Sequence, residues 1–144
     1  MLFRSVDFCE IPVFVEANNE EAQKQTLEIA NKLSPRVTII NSEQRKELHL
    51  AAVFACNFTN YLYDIAAEIV QNVELPFDVL QPLITETADK IKTLTPYDAQ
   101  TGPAVRYDKQ TMQQHLQLLE NYPERQAVYE LLSNSIAKRH SKKQ

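Results

Sequence analysis

HLAAVFACNFTNYLYDIAAEIV, from His49 to Val70, is the longest strongly helical run in this 144-residue chain. At about 100° per residue, Ala51, Phe54, Ala55, Phe58, Tyr61, Leu62, Ile65 and Ile69 gather on one face. His49, Cys56, Asn57, Asn60 and Asp64 gather on the other. Leu50 to Cys56 is apolar without a break, which predicts that both faces near the start are shielded from water. Polar groups beside such a segment need partners, because an unpaired buried one costs about 1–3 kcal/mol. They either bond neighbouring elements or receive a ligand.

Working outward, the residues before this run alternate strand and helix. Ile11 to Glu16 (IPVFVE) reads as a short strand, with Pro12 near its start, where a missing N–H is tolerated. Asn18-Asn19-Glu20-Glu21 signals a helix start with acids in the first turn. Ala22, Leu27, Ile29, Ala30 and Leu33 give that helix an apolar face, and Pro35 stops it. Arg36 to Ile40 (RVTII) is β-branched and reads as a second strand, so the front of the chain is a βαβ unit. Two parallel strands make a poor sheet alone. They read as the last strands of a sheet whose beginning is absent, supplied by a partner or lost by fragmentation or truncation.

After the long run, which Asn41 or Ser42 should cap and which should continue to about Val73, the pattern is helical. Pro76 sits at a favoured first position, and Pro82 predicts a kink or two consecutive segments. Leu83, Ile84, Ala88, Ile91 and Leu94 continue an apolar stripe. Thr95 to Tyr107 (TPYDAQTGPAVRY) is a long loop holding the chain's one glycine, Gly102. Long loops of this kind are usually functional or disordered. Asp108 should cap a helix to Leu119, and Pro123 should begin the last helix. The expected fold is mostly α: a helical bundle behind a short βαβ stub of an incomplete Rossmann-like sheet. The expected divisions are 1–41 for the stub, 42–138 for a helical dimerisation and substrate domain, and 139–144 for a disordered basic tail.

Composition narrows the function classes. A hydrophobic share of 44%, 24% charged residues and a net charge of −4 describe a soluble globular chain. That acidic balance argues against non-specific nucleic-acid binding. No apolar run is long enough for a membrane span and the N-terminus lacks a signal-peptide core, so a cytoplasmic location is expected. Cys9 and Cys56 form no CxxC pair, and Cys56 reads as a small core residue. No histidine has HExxH spacing or a cysteine partner, which speaks against a metal site. One glycine cannot build a dinucleotide-binding turn or a P-loop. No cofactor is therefore expected to bind this chain alone.

HLAAVFACNF, ETADKI and TGPAVRYD, together with the headless βαβ unit, carry a family resemblance. From about Val6 to Ile136 the chain resembles the C-terminal portion of Rossmann-like, oxidoreductase-type proteins with an uncharacterised helical C-terminal domain. These are similar in architecture to pyrroline carboxylate reductase, ketopantoate reductase and the phosphogluconate dehydrogenase superfamily. The resemblance implies an N-terminal NAD(P)-binding domain, and a helical domain that dimerises and lines the substrate cleft. The glycine-rich turn of such proteins is missing here.

The candidate site residues follow. His49 is the candidate general acid or base, since imidazole titrates near neutral pH. Asn57 is its catalytic companion, and Asn60 could orient a substrate carbonyl or carboxylate. The helical rise puts His49 about 12 Å from Asn57 and about 16 Å from Asn60 along the axis, too far for one small molecule to bridge directly. Thr101, Gly102 and Arg106 form a second candidate, because a glycine lets backbone N–H groups approach an anion and arginine offers a planar fork. Its plain alternative is a tight connector with Arg106 solvated or paired to Asp98 or Asp108. Thr87 could donate to a ligand or to its own helix, and Asp108 reads as a cap before a catalytic acid. His115 reads as a partly exposed or core-edge residue. Two functions are carried forward. The first is the helical dimerisation and substrate-binding portion of an NAD(P)-dependent oxidoreductase, acting on a small anionic or carbonyl substrate and inactive without its nucleotide domain. The second is a non-catalytic helical homodimer that binds a small anionic ligand or a protein partner.

Overall fold

A computed structural model describes residues 7–141. It holds β1 (Val13–Val15), α1 (Glu20–Leu33), β2 (Val37–Ile39), α2 (Ser42–Ala52), a π-helical turn (Val53–Phe58) and α3 (Thr59–Gln71). A 3-10 turn (Phe77–Leu80), α4 (Gln81–Lys90), α5 (Lys109–Leu118) and α6 (Pro123–His140) follow. The fold is mostly α behind a βαβ stub. The chain divides into two compact units, Met1–Leu62 and Tyr63–Gln144, the division falling along the sequence of α3.

In the first unit β1 and β2 pair in parallel, Val13 with Val37, Phe14 with Thr38 and Val15 with Ile39. Both strands are shorter than the apolar runs that predict them. α1 begins where Asn19 accepts a hydrogen bond from the Ala22 amide at 2.8 Å, and it ends where Ser34 turns extended before Pro35. Ser34 then holds the stub together. Only 2% exposed, it donates its hydroxyl to the Ile11 carbonyl at 2.7 Å and accepts from the Arg36 amide at 3.1 Å. Val15 and Ala30 are the buried apolar residues among those described in this unit.

α2 opens with a reciprocal cap: the Asn41 side chain accepts from the Gln44 amide, and the Gln44 side chain accepts from the Asn41 amide. The helical path then departs from expectation at Val53–Phe58, where the backbone widens into a π turn. Thr59 donates its hydroxyl to the Phe54 carbonyl, five residues back, at 3.3 Å. A π turn adds a residue to the helical repeat, so whatever follows is rotated by about 100° from its ideal α position. His49 and Asn60, which share a face on an ideal helix, are thereby turned apart. The shielding expected around this run is also absent: His49, Cys56, Asn57 and Asn60 are all exposed. Cys56 is therefore a surface thiol rather than a core residue.

In the second unit, Glu74 adopts a left-handed φ of 59° and the Leu75 amide returns to the Val70 carbonyl at 3.0 Å, which closes α3. Pro76 and Pro82 produce two consecutive segments, the 3-10 turn and α4. Residues 95–107 form a tied series of turns rather than a slack loop. Thr95 donates to Asp98 at 2.7 Å, Ala104 is buried, and the Tyr107 hydroxyl donates to the Ala137 carbonyl at 3.0 Å. The basic tail begins later than expected. Arg139 and His140 belong to α6, and the His140 ring stacks on Tyr97 at 4.3 Å. Residues 1–6 and 142–144, the remainder of the expected lead-in and tail, lie outside the described residues.

The surface is unusually apolar. Phe54 is 62% exposed and packs edge-to-face on exposed Phe58, and Leu118 is 78% exposed. The accessible area is 12000 Å². Among the described residues, no helix is long and apolar enough to cross a membrane.

Candidate functional site

In open α/β sheets, ligands collect beyond the carboxyl ends of the strands. Here Glu16 directly follows β1 and Ile40 directly follows β2. Beyond those ends lies a cleft of about 330 Å³ lined by Phe14, Glu16, Ile40, Arg45, Leu48, His49 and Ala52. Four of these belong to α2, at positions i, i+3, i+4 and i+7, so one stripe of that helix forms a wall. The capped start of α2 fixes where this stripe begins.

Glu16 organises the polar end. Its carboxylate accepts from the Ser42 hydroxyl and from Arg45 Nε, the latter at 2.8 Å. These two bonds, Ser42 first, hold its carboxyl below the usual range, so it is ionised near neutral pH. Arg45 spends only Nε on this pair: its two terminal nitrogens have no partner among the described residues, and its side chain is 61% exposed. His49 stands one turn further along the same stripe, exposed and without a hydrogen-bond partner among the described residues. The cleft thus offers a fixed cation with spare donors, a free imidazole and an apolar floor.

Of the residues singled out by sequence, His49 alone lines this cleft. Asn57 lies in the π turn and Asn60 in the first turn of α3, both exposed. Glu16 and Arg45 escape sequence reading, although two signals mark them: Glu16 sits at a strand end and Arg45 precedes His49 by four.

The other candidates belong to the second unit. The Thr87 hydroxyl donates to the Leu83 carbonyl at 2.8 Å, the local alternative for a helical threonine. Gly102 holds a φ of +112°, open to glycine and strained for other residues, and the Thr101 carbonyl accepts from the Gln100 side-chain Nε2 at 3.0 Å. Arg106 forms no ion pair among the described residues, while its charge helps hold the Asp108 carboxyl low. The larger causes there are the Thr111 amide and hydroxyl, which make Asp108 the cap of α5.

This unit also contains a hollow of about 460 Å³ between α3, α5 and α6. Its polar groups face one another. His115 Nδ1 shares a hydrogen bond with the Tyr129 hydroxyl at 2.9 Å, and Asn72 donates to the Tyr122 hydroxyl at 3.3 Å. Arg125 pairs with Glu68 and lies 4.6 Å over the Tyr122 ring. Ile69, Val73, Leu118 and Leu119 supply the apolar lining. His115 is thus a partnered core-edge residue.

Neither hollow resembles a dinucleotide cradle. Such a cradle needs glycines in a strand-to-helix turn, and Gly102 lies far along the chain, in the 95–107 loop. These residues do not fit a nicotinamide dinucleotide by themselves.

Comparison with curated proteins yields no match. Among solved structures, the chain is similar to the "putative NADP oxidoreductase BF3122" of Bacteroides fragilis, with 54% identity and a TM-score of 0.89. That match covers 94% of this chain and 52% of the other. It is also similar to protein TM1727 of Thermotoga maritima, with 26% identity and a TM-score of 0.76, over 90% of this chain and 53% of the other. The chain therefore spans about half the length of the structures it matches. Residues 11–136 match the family described as a domain of unknown function, DUF2520. The chain belongs to that family and is similar to the C-terminal helical portion of Rossmann-like oxidoreductases.

Proposed function

We propose that this chain is the helical dimerisation and substrate-binding portion of an NAD(P)-dependent oxidoreductase, with the dinucleotide held by residues outside it. The observation that carries this reading is the Glu16–Arg45–His49 cleft at the strand ends, where α/β enzymes place their ligands. In it, His49 exchanges a proton with a carbonyl or amino group of a small substrate. Asn57 and Asn60 do not line this cleft and Thr87 belongs to the second unit, where Thr101, Gly102 and Arg106 form a separate anion contact. The name of the Bacteroides fragilis relative favours NADP over NAD. A cytoplasmic location fits this role.

Homodimerisation through residues 42–138 belongs to the same proposal. Its support is the apolar surface, above all Phe54, Phe58 and Leu118. Calorimetric titration of the purified chain with NADPH and NADH tests the division of labour. No heat from either is expected, and micromolar binding would place the cofactor site within this chain and overturn the proposal. A second reading, a non-catalytic helical dimer that binds a small anion or a protein partner, is favoured by the single glycine.

A further inference from the structure

We infer that Arg45, oriented by Glu16, recognises the carboxylate of a small 2-oxo acid with a short apolar side chain. This rests on the cleft being the substrate site and adds what it selects. Three features carry it. First, the bond from Nε to Glu16 fixes the guanidinium while leaving both terminal nitrogens without a partner among the described residues. Those two nitrogens present parallel N–H groups at the spacing of a carboxylate's two oxygens. Second, Glu16 neutralises part of the arginine's charge and stands beside any bound anion. A planar monoanion meets less repulsion there than a dianionic phosphate, and a neutral ketone gains nothing from the fork.

Third, His49 is four residues beyond Arg45 on the same stripe of α2. Side chains at that spacing have Cβ atoms about 5–6 Å apart. A group held at Arg45 by its carboxylate therefore brings the adjacent C2 oxygen, rather than a remote one, towards the imidazole. Phe14, Ile40, Leu48 and Ala52 leave the rest of the cleft apolar, which suits an alkyl tail and excludes a second charge. Glu16 is the positioning residue in this scheme and Arg45 the binding one.

The test is an NMR titration of the full chain, isotope-labelled so that Arg45 Nε–Hε and the His49 ring are read directly. The probes are 2-oxopentanoate, its neutral counterpart 2-pentanone, and inorganic phosphate. The acid should bind at least about tenfold more tightly than either other probe, since only it forms two charge-assisted bonds. Arg45→Gln should weaken the acid by a similar factor and leave 2-pentanone unchanged, with an unaltered amide fingerprint elsewhere. If that variant misfolds, Arg45→Lys decides, because it keeps the charge beside Glu16 but loses the fork; an unchanged affinity would overturn the inference. Equal binding of acid and ketone, or of acid and phosphate, would also overturn it and reduce Arg45 to a partner of Glu16, while the cleft reading stands. No response at the cleft to any probe would remove both.

Discussion

The strand-end cleft of the first unit and the three-helix hollow of the second are of comparable size and opposite character. In the cleft, polar groups are anchored with capacity to spare: among the described residues Arg45 is tied through one nitrogen of three, and His49 has no hydrogen-bond partner. In the hollow the polar groups are spent on each other, His115 with Tyr129, Asn72 with Tyr122 and Arg125 with Glu68. What is left bare there is apolar. Spare hydrogen-bonding capacity is what a small polar ligand consumes, whereas bare apolar surface is removed from water by another apolar surface. On the proposed reading the cleft takes the ligand, and the apolar lining of the hollow forms part of the surface that a second copy of this chain covers.

The largest effect should come from charging the hollow. Leu118→Glu places a carboxylate where an apolar cover is expected, and burying an unpaired charge costs several kcal/mol. Sedimentation analysis should show the dimer's dissociation constant raised by at least about a hundredfold, with 2-oxopentanoate binding at the cleft unchanged. A mass that stays the same would break the second half of the comparison. A smaller change follows from Tyr129→Phe, which leaves His115 without its partner at a half-buried site. Denaturant unfolding should show a loss of about 1–2 kcal/mol, again without an effect on the cleft. Full stability would mean that the hollow's polar groups are not committed to each other.

The smallest effect concerns acid. The Glu16 carboxyl is held low in the folded chain, so the stability it contributes is present above the ordinary carboxylate range and is lost as pH falls through its lowered folded value. Asp108 behaves with the same sign in the second unit. Glu16→Gln should flatten the acid side of the first unit's stability profile and leave the second unit's unaltered; Asp108→Asn should do the reverse. Residue-resolved hydrogen exchange between neutral and acidic pH separates them. Equal flattening of both units by either variant would deny that each carboxylate acts locally.

How much of this was legible in the sequence depended on the reach of each interaction. Caps and stops act within four residues, so Asn19, Pro35, Asn41 and Asp108 declare themselves, and with them the βαβ stub and the helical order. The strand ends were overextended because Ile11 and Arg36 look like strand residues, although pairing begins only at Val13 and Val37. The π turn left no such mark. Only Ala55 in VFACNF is a strong helix former, but weak propensity does not by itself specify a π turn, and nothing in the period announces a wider turn that swings Asn60 away from His49. Burial was misjudged at Cys56 and Asn57 because an apolar run states what should be covered without stating by which chain. Glu16 and Arg45, 29 residues apart, meet only because β1 and β2 pair and α2 starts where it does. That long-range step hid half of the cleft, while His49 was visible from its residue type alone.

The central claim is that the small polar ligand of this chain sits at the strand ends and not between the helices. A residue-by-residue NMR shift map with saturating 2-oxopentanoate tests it most directly. The account predicts shifts centred on Glu16, Arg45 and His49, with Asn72, His115 and Tyr122 unmoved. Shifts centred on that second group instead would contradict it.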